Sequence, residues 1–246
     1  MSDERVSNPY PTPNTLNGPA SAASTLGVKP DARLAQAFLT QSFVWMFAGL
    51  LVSAGVAFVV QSNERLLGFA ADNFFALIIA QLALVVVISW GIRRINAVVA
   101  LGLFFVYAAT LGLTIGLIVA GYTGTSVVTA FLSASAMFGA AAIYGHVTKR
   151  SLAGLGGILF MGLIGLIVAS LLNVFLAGGA LTWIISIVGV VIFTVLTAYH
   201  VQRIANGDLV IWTGSVEKAA VLGATLLYLD FVNLFLFLLR IFGGRR

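Results

Sequence analysis

The 246 residues include no cysteine, and after Pro30 no proline. The first absence excludes disulfides and thiolate metal sites. The second predicts helices without proline kinks beyond a short N-terminal tail. Charge is also scarce, at 9% of residues, against about 25% in an ordinary soluble chain. With 60% hydrophobic residues, a soluble domain of this length could not bury its apolar surface, so the composition describes a polytopic membrane protein. The net charge of +5 would suggest nucleic acid only if the basic residues clustered on one surface. They sit instead in short breaks between apolar runs, where they report topology, and no nucleic-acid partner is expected.

The eight carboxylates are placed almost entirely outside the apolar runs. Asp3, Glu4 and Asp31 lie in the tail, Glu64 and Asp72 in the first break, and Asp208 and Glu217 in the sixth. Asp230 alone lies at depth, in the run from Ala219 to Leu239. A calcium-storage cage takes roughly six to eight oxygens, which one intramembrane acid cannot supply. A cation meeting Asp230 would be held weakly and in passing, as in a leak, and no resident cofactor is expected.

Residues 1–36 carry all five prolines among Ser, Thr, Asn and mixed charge, too little apolar surface to offset the entropy of ordering, so a mobile tail is expected there. No apolar segment follows a basic one in it, so the first span serves as an uncleaved signal. A seven-helix domain over residues 37–242 and a basic tail at 243–246 complete the division. Seven spans of about 20 residues, the length a bilayer core requires, are expected at 40–61, 73–92, 96–120, 125–145, 154–177, 180–202 and 217–240. The third and fifth breaks are short enough to demand tight hairpins. Spacings such as Gly112 with Gly116, Ala130 with Ala134, and Gly157, Met161 and Gly165 are those through which helices approach closely in lipid. The four tryptophans fall mostly near span ends and are assigned no chemistry.

Counted on alternate sides, Lys and Arg number nine with the N-terminal tail and four with the C-terminus, which places the N-terminus in the cytoplasm. Seven spans then leave Arg240, Arg245 and Arg246 outside, against the same rule. The alternative is a re-entrant last span and a cytoplasmic C-terminus.

An acid at membrane depth costs roughly 2.5 to 3.5 kcal/mol, so a helix that keeps one generally uses it. Asp230 reads as the gating or pore acid, the plainer reading being a buried hydrogen-bonder between helices. Asn233, Phe237 and Gly223 share its helical face. His200 ends the sixth span in Tyr199-His200-Val201-Gln202. Imidazole changes charge near neutral pH, so His200 beside Asp230 would form a pH-dependent pair, whereas at a span end it can equally serve as an interfacial hydrogen-bonder. Span positions place the two about 15 Å apart along the helix axes. They meet only if the sixth helix continues past Arg203 or the sixth break folds inward. Arg93 and Arg94 could support the site by snorkelling into the bundle, or could be topological anchors. Tyr199 and Arg240 are the other supporting residues, and His146 beside Lys149 and Arg150 reads as basic surface.

Tyr144-Gly145 with Thr148-Lys149-Arg150, then Phe160 to Leu166, Asn173, and Leu229-Asp230-Phe231-Val232-Asn233-Leu234-Phe235 resemble the Bax inhibitor-1 family, in its bacterial branch, over about residues 38–242. The resemblance implies an all-α membrane protein in which six transmembrane helices surround a central seventh, in a bacterial inner membrane. It also implies a pH-sensitive Ca²⁺ leak, closed when an aspartate of the sixth helix and one of the seventh share a proton. Asp230 matches the seventh-helix acid. The sixth-helix pattern Tyr-Asp-x-Gln reads Tyr199-His200-Val201-Gln202 here, so the second acid is replaced by a base. Two carboxylates raise one another's pKa, while an acid and an imidazole favour each other's charged forms. The expected latch is therefore a His200–Asp230 ion bridge, and a cationic imidazole would repel Ca²⁺.

The expected function is a pH-gated cation leak, with Ca²⁺ as the transported ion and Asp230, His200 and Asn233 as its gate. The alternative is a non-conducting regulator of an integral-membrane quality-control protease, as resemblance to some bacterial members suggests, in which the tail is the element a partner would need. The oligomeric state is open, and the bilayer is the one certain partner. An intramembrane enzyme is disfavoured. Ser133 and Ser135 lack a Gly-x-Ser-x-Gly elbow, and an aspartyl mechanism needs two acids where only one is available.

Overall fold

The computed structural model describes residues 32–176 and 179–244. Among them nine α-helices form and no strand: α1 (Ala32–Gln61), α2 (Glu64–Asp72), α3 (Phe74–Gly91), α4 (Ala97–Ala120), α5 (Gly124–Val147), α6 (Gly156–Leu176), α7 (Gly179–Ala205), α8 (Asp208–Thr213) and α9 (Val216–Phe242). Seven of these, all but α2 and α8, are long and apolar enough to cross a membrane. Their bounds follow the expected spans to within a few residues except at the start of α1. Most of the proposed tail, and Arg245 and Arg246 of the basic C-terminus, lie outside the described residues.

Helix starts are set by short polar side chains. The side chain of Asn63 accepts from the amides of Arg65 and Leu66, Asn96 from Val99, Thr123 from Ser126, and Ser215 from Lys218. Each satisfies a donor that the first helical turn leaves without a partner.

The seventh span, α9, is the centre. Of its most apolar stretch 78% is buried by the rest of the protein, against 11–44% for the other six. Helices α1, α4, α5, α7 and α8 pack on it, α3 touches it lightly, and α6 packs on α7. Side chains that would be costly at the lipid face are thus free to point inward from α9.

Glycine sets the closest approaches. A Cβ on Gly112 would stand 2.8 Å from the Ser53 carbonyl oxygen, and one on Gly116 2.9 Å from Val60 Cβ, so α1 and α4 run parallel in near backbone contact. Ala130 and Ala134 are fully buried. The third set expected to pack does not. Gly157 and Gly165 have nothing within 4 Å where a Cβ would be, and Met161 is 68% exposed. One residue of shift turns a helix by about 100°, and the glycines of α6 that pack are Gly156, under Tyr199, and Gly162, against Ile192.

The re-entrant alternative for the last span is excluded by its continuity. At 27 residues, α9 is about 40 Å long. At its start Lys218 Nζ donates to the Arg93 carbonyl at 3.3 Å, beside the loop joining α3 and α4. At its end Gly244 N donates to Ser126 Oγ at 2.9 Å, and Thr123 N donates to Gly244 O at 3.1 Å, beside the loop joining α4 and α5. The two ends lie on opposite faces of the bundle.

Candidate functional site

His200 and Asp230, assigned to different depths by span counting, are in direct contact: His200 Nδ1 lies 2.6 Å from Asp230 Oδ2. Both conditions for their meeting are met. Helix α7 continues to Ala205, and the sixth break folds inward as α8, with Leu209, Val210 and Thr213 buried. Gly207 and Gly214, at φ of 77° and 73°, occupy the left-handed conformation that glycine adopts without steric cost. They bracket α8, so its six residues double back along the first turns of α9.

The register of α7 on α9 completes the explanation. Phe237 fills the space beside Gly189, and Ile204 that beside Gly223, so the helices run antiparallel with His200 and Asp230 between those contacts. Helical Cβ bonds tilt toward the helix N-terminus. In an antiparallel pair the His200 and Asp230 side chains therefore lean toward each other and close the remaining axial offset.

The carboxylate is 2% exposed and the imidazole 12%. Removing a lone carboxylate from water this completely costs several kcal/mol. A protonated imidazole at hydrogen-bond distance offsets that through both charge and the bond. Among the described residues this is the one basic–acidic side-chain contact at salt-bridge distance, an ion pair when the imidazole carries its second proton.

The pair lies against a cavity of about 610 Å³. Helix α9 supplies its floor with Leu226, Leu229, Asp230 and Asn233. Its walls are Ile78, Gln81 and Leu82 of α3, Tyr107 of α4, Phe160 and Leu163 of α6, and Tyr199, His200 and Arg203 of α7. The titratable or charged side chains facing the pair across this space are thus Tyr107, Tyr199 and Arg203, and α3 and α6 contribute none. Asn233 lines the same cavity, its Nδ2 donating to the Leu229 carbonyl at 2.8 Å.

The supporting residues divide. Tyr199 belongs to the site: its hydroxyl stands 2.6 Å from where a Gly156 Cβ would be, bracing α6 on α7, and the Arg203 guanidinium lies over its ring at 5.6 Å. Arg93 and Arg94 are exposed in the loop after α3 and do not reach into the bundle. Arg240 is exposed and stacks over Phe237 at 5.6 Å, ten residues and about 15 Å beyond Asp230.

Two polar groups were missed in the sequence. Gln81 Nε2 donates to Thr114 Oγ1 at 2.7 Å and to the Thr110 carbonyl at 3.0 Å, fastening α3 to α4. An amide in the middle of an apolar span was the available signal. On the opposite side of α9, Ser53 Oγ contacts Tyr228 Oη at 2.5 Å and the carbonyls of Ala108 and Gly49 at 2.7 and 3.0 Å. Ser53 has one proton, so it serves one carbonyl and Tyr228 donates to Ser53. Beside this cluster a second cavity of about 280 Å³ is lined by Ser53, Gln61, Phe131 and Phe235, and Val232 borders both cavities.

Comparison with known proteins gives one family. The family model described as inhibitor of apoptosis-promoting Bax1 matches residues 35–246. The inner membrane protein YbhL of Escherichia coli K12 is 44% identical over 225 residues, covering 89% of this chain and 96% of that protein. Uncharacterised proteins of Deinococcus radiodurans and Borreliella burgdorferi are 41% and 40% identical, over 85% and 89% of this chain and 90% and 96% of theirs.

Proposed function

The chain belongs to the Bax inhibitor-1 family of membrane proteins, and from that premise we propose that it is a pH-sensitive Ca²⁺ leak, closed by the His200–Asp230 pair. The observation that carries the reading is the 2.6 Å contact between an imidazole and a carboxylate that is 2% exposed, on the wall of a cavity beside the central helix. Asp230 is the group a passing cation would meet, and protonated His200 occupies it. Loss of the imidazole proton as pH rises removes both the ion pair and the positive charge that opposes Ca²⁺. Protonation of Asp230 at low pH removes the pair from the other side, together with the negative charge a cation needs. Conduction is therefore favoured as pH rises through neutrality. Val232 borders both cavities and is the side chain a path around α9 would have to pass.

The location that fits is a bacterial inner membrane, as for YbhL, with the N-terminus in the cytoplasm by the distribution of Lys and Arg. Purified protein in liposomes should release Ca²⁺ at a rate that increases from about pH 6 to pH 8. Release no faster than from protein-free liposomes at every pH overturns the reading.

A further inference from the structure

The larger cavity has a feature that conduction does not use. Helix α3 packs on α4 and α6 packs on α7, but α3 and α6 do not form a packed pair with each other. Between them the cavity reaches the outer surface of the bundle, where Leu82 and Phe160, both 62% exposed, stand at its rim. In a membrane that opening faces lipid.

Polarity is distributed unevenly along the cavity. Leu82, Val85, Leu163 and Ile167 make its lateral part apolar, while Tyr199, His200 and Arg203 of α7 gather on one side. The Asp230 carboxylate already has His200 as its partner. Arg203 is not matched: among the described residues it forms no ion pair, and its guanidinium rests over the Tyr199 ring at 5.6 Å, within the cavity lining. It stands in the last turn of α7, and that end of the bundle also presents Arg93, Arg94, Lys149 and Arg150, all exposed. Asp208 and Glu217, the carboxylates at that end, do not pair with it.

We infer that this cleft is a binding site for one anionic phospholipid, its acyl chain lying between α3 and α6 and its phosphate held by Arg203. The charge distribution selects the occupant. A guanidinium offers a fixed fork of donors that matches phosphate geometry, a basic rim attracts anionic over zwitterionic headgroups, and the lateral wall, apolar apart from Gln81, whose amide is already bonded to Thr114 and Thr110, suits an acyl chain. The bound chain would lie beside Leu229 and Asn233 and keep water from the exposed edge of His200. The inference does not depend on conduction, because occupancy is read without it.

Native mass spectrometry of the full-length protein in maltoside detergent tests the site, with phosphatidylglycerol and phosphatidylcholine of equal chain length added in turn. One phosphatidylglycerol should be retained at least tenfold more tightly than phosphatidylcholine. Arg203→Gln should reduce its retention to the phosphatidylcholine level. Leu163→Trp, which fills the cavity, should abolish retention of both lipids; Leu82→Trp, from the opposite wall, should do the same and serves if the first variant does not fold. Inorganic phosphate should not compete. Equal retention of the two lipids, a phosphatidylglycerol complex unchanged in Arg203→Gln or in the filled variants, or displacement by inorganic phosphate alone overturns the assignment.

Discussion

His200 and Asp230 stand on antiparallel helices at positions offset along the axis, and their side chains lean toward one another to meet at 2.6 Å. The contact depends on α8 folding back over the start of α9, since without it α9 would begin level with the end of α7 and carry Asp230 past its partner.

His200→Ala leaves a carboxylate buried without a partner. Removing one member of a buried pair costs about 3–5 kcal/mol, more than Asp230→Asn, which keeps an amide able to bond the imidazole. Unfolding in mixed micelles of both variants and the double variant should show strong coupling. Losses that simply add would mean that the pair does not interact energetically.

His200→Asp places two carboxylates where an acid and a base now stand. Like charges at this separation share a proton and release it as pH rises. Liposome flux should then climb more steeply between about pH 6 and 8 than in the parent and exceed it at the upper end. A profile superimposable on the parent's would show that residue 200 does not set the pH response.

Gln202 bridges to the loop before α6: its Oε1 accepts from Leu152 N at 2.7 Å, and its Nε2 donates to the Arg150 carbonyl at 2.8 Å. Gln202→Leu strands a buried amide, at a cost of about 1–3 kcal/mol. Hydrogen exchange at the Leu152 amide should accelerate by at least tenfold, whereas exchange within α9 should change little.

Gly112→Val drives a branched side chain into the α1 backbone at Ser53, and overpacking of this kind costs about 1–3 kcal/mol. Gly165→Val meets open space and should leave the thermal midpoint in detergent unchanged or raised. Equal effects of the two would contradict the assigned helix faces.

The spans were legible because 20-residue apolar runs separated by charged or glycine-containing breaks leave few alternatives in a bilayer. Asp230 was legible for the same reason, as the one acid at depth. The depth of His200 was not, because the span count treats a polar break as lying outside the bundle. Leu209 and Val210, which bury α8, look from sequence like any short apolar stretch. The packing face of α6 is not legible because Gly156 and Gly157 differ by one position in sequence and by nearly a third of a turn in space. The Ser53–Tyr228 contact joins residues 175 apart in the chain and has no local signature.

Calcium flux from liposomes between about pH 6 and 8, measured in parallel for the parent protein, Asp230→Asn and His200→Ala, tests the latch most directly. A His200–Asp230 latch predicts flux that rises with pH in the parent, stays low and flat in Asp230→Asn, and is high and nearly flat in His200→Ala. Three superimposable profiles would contradict it.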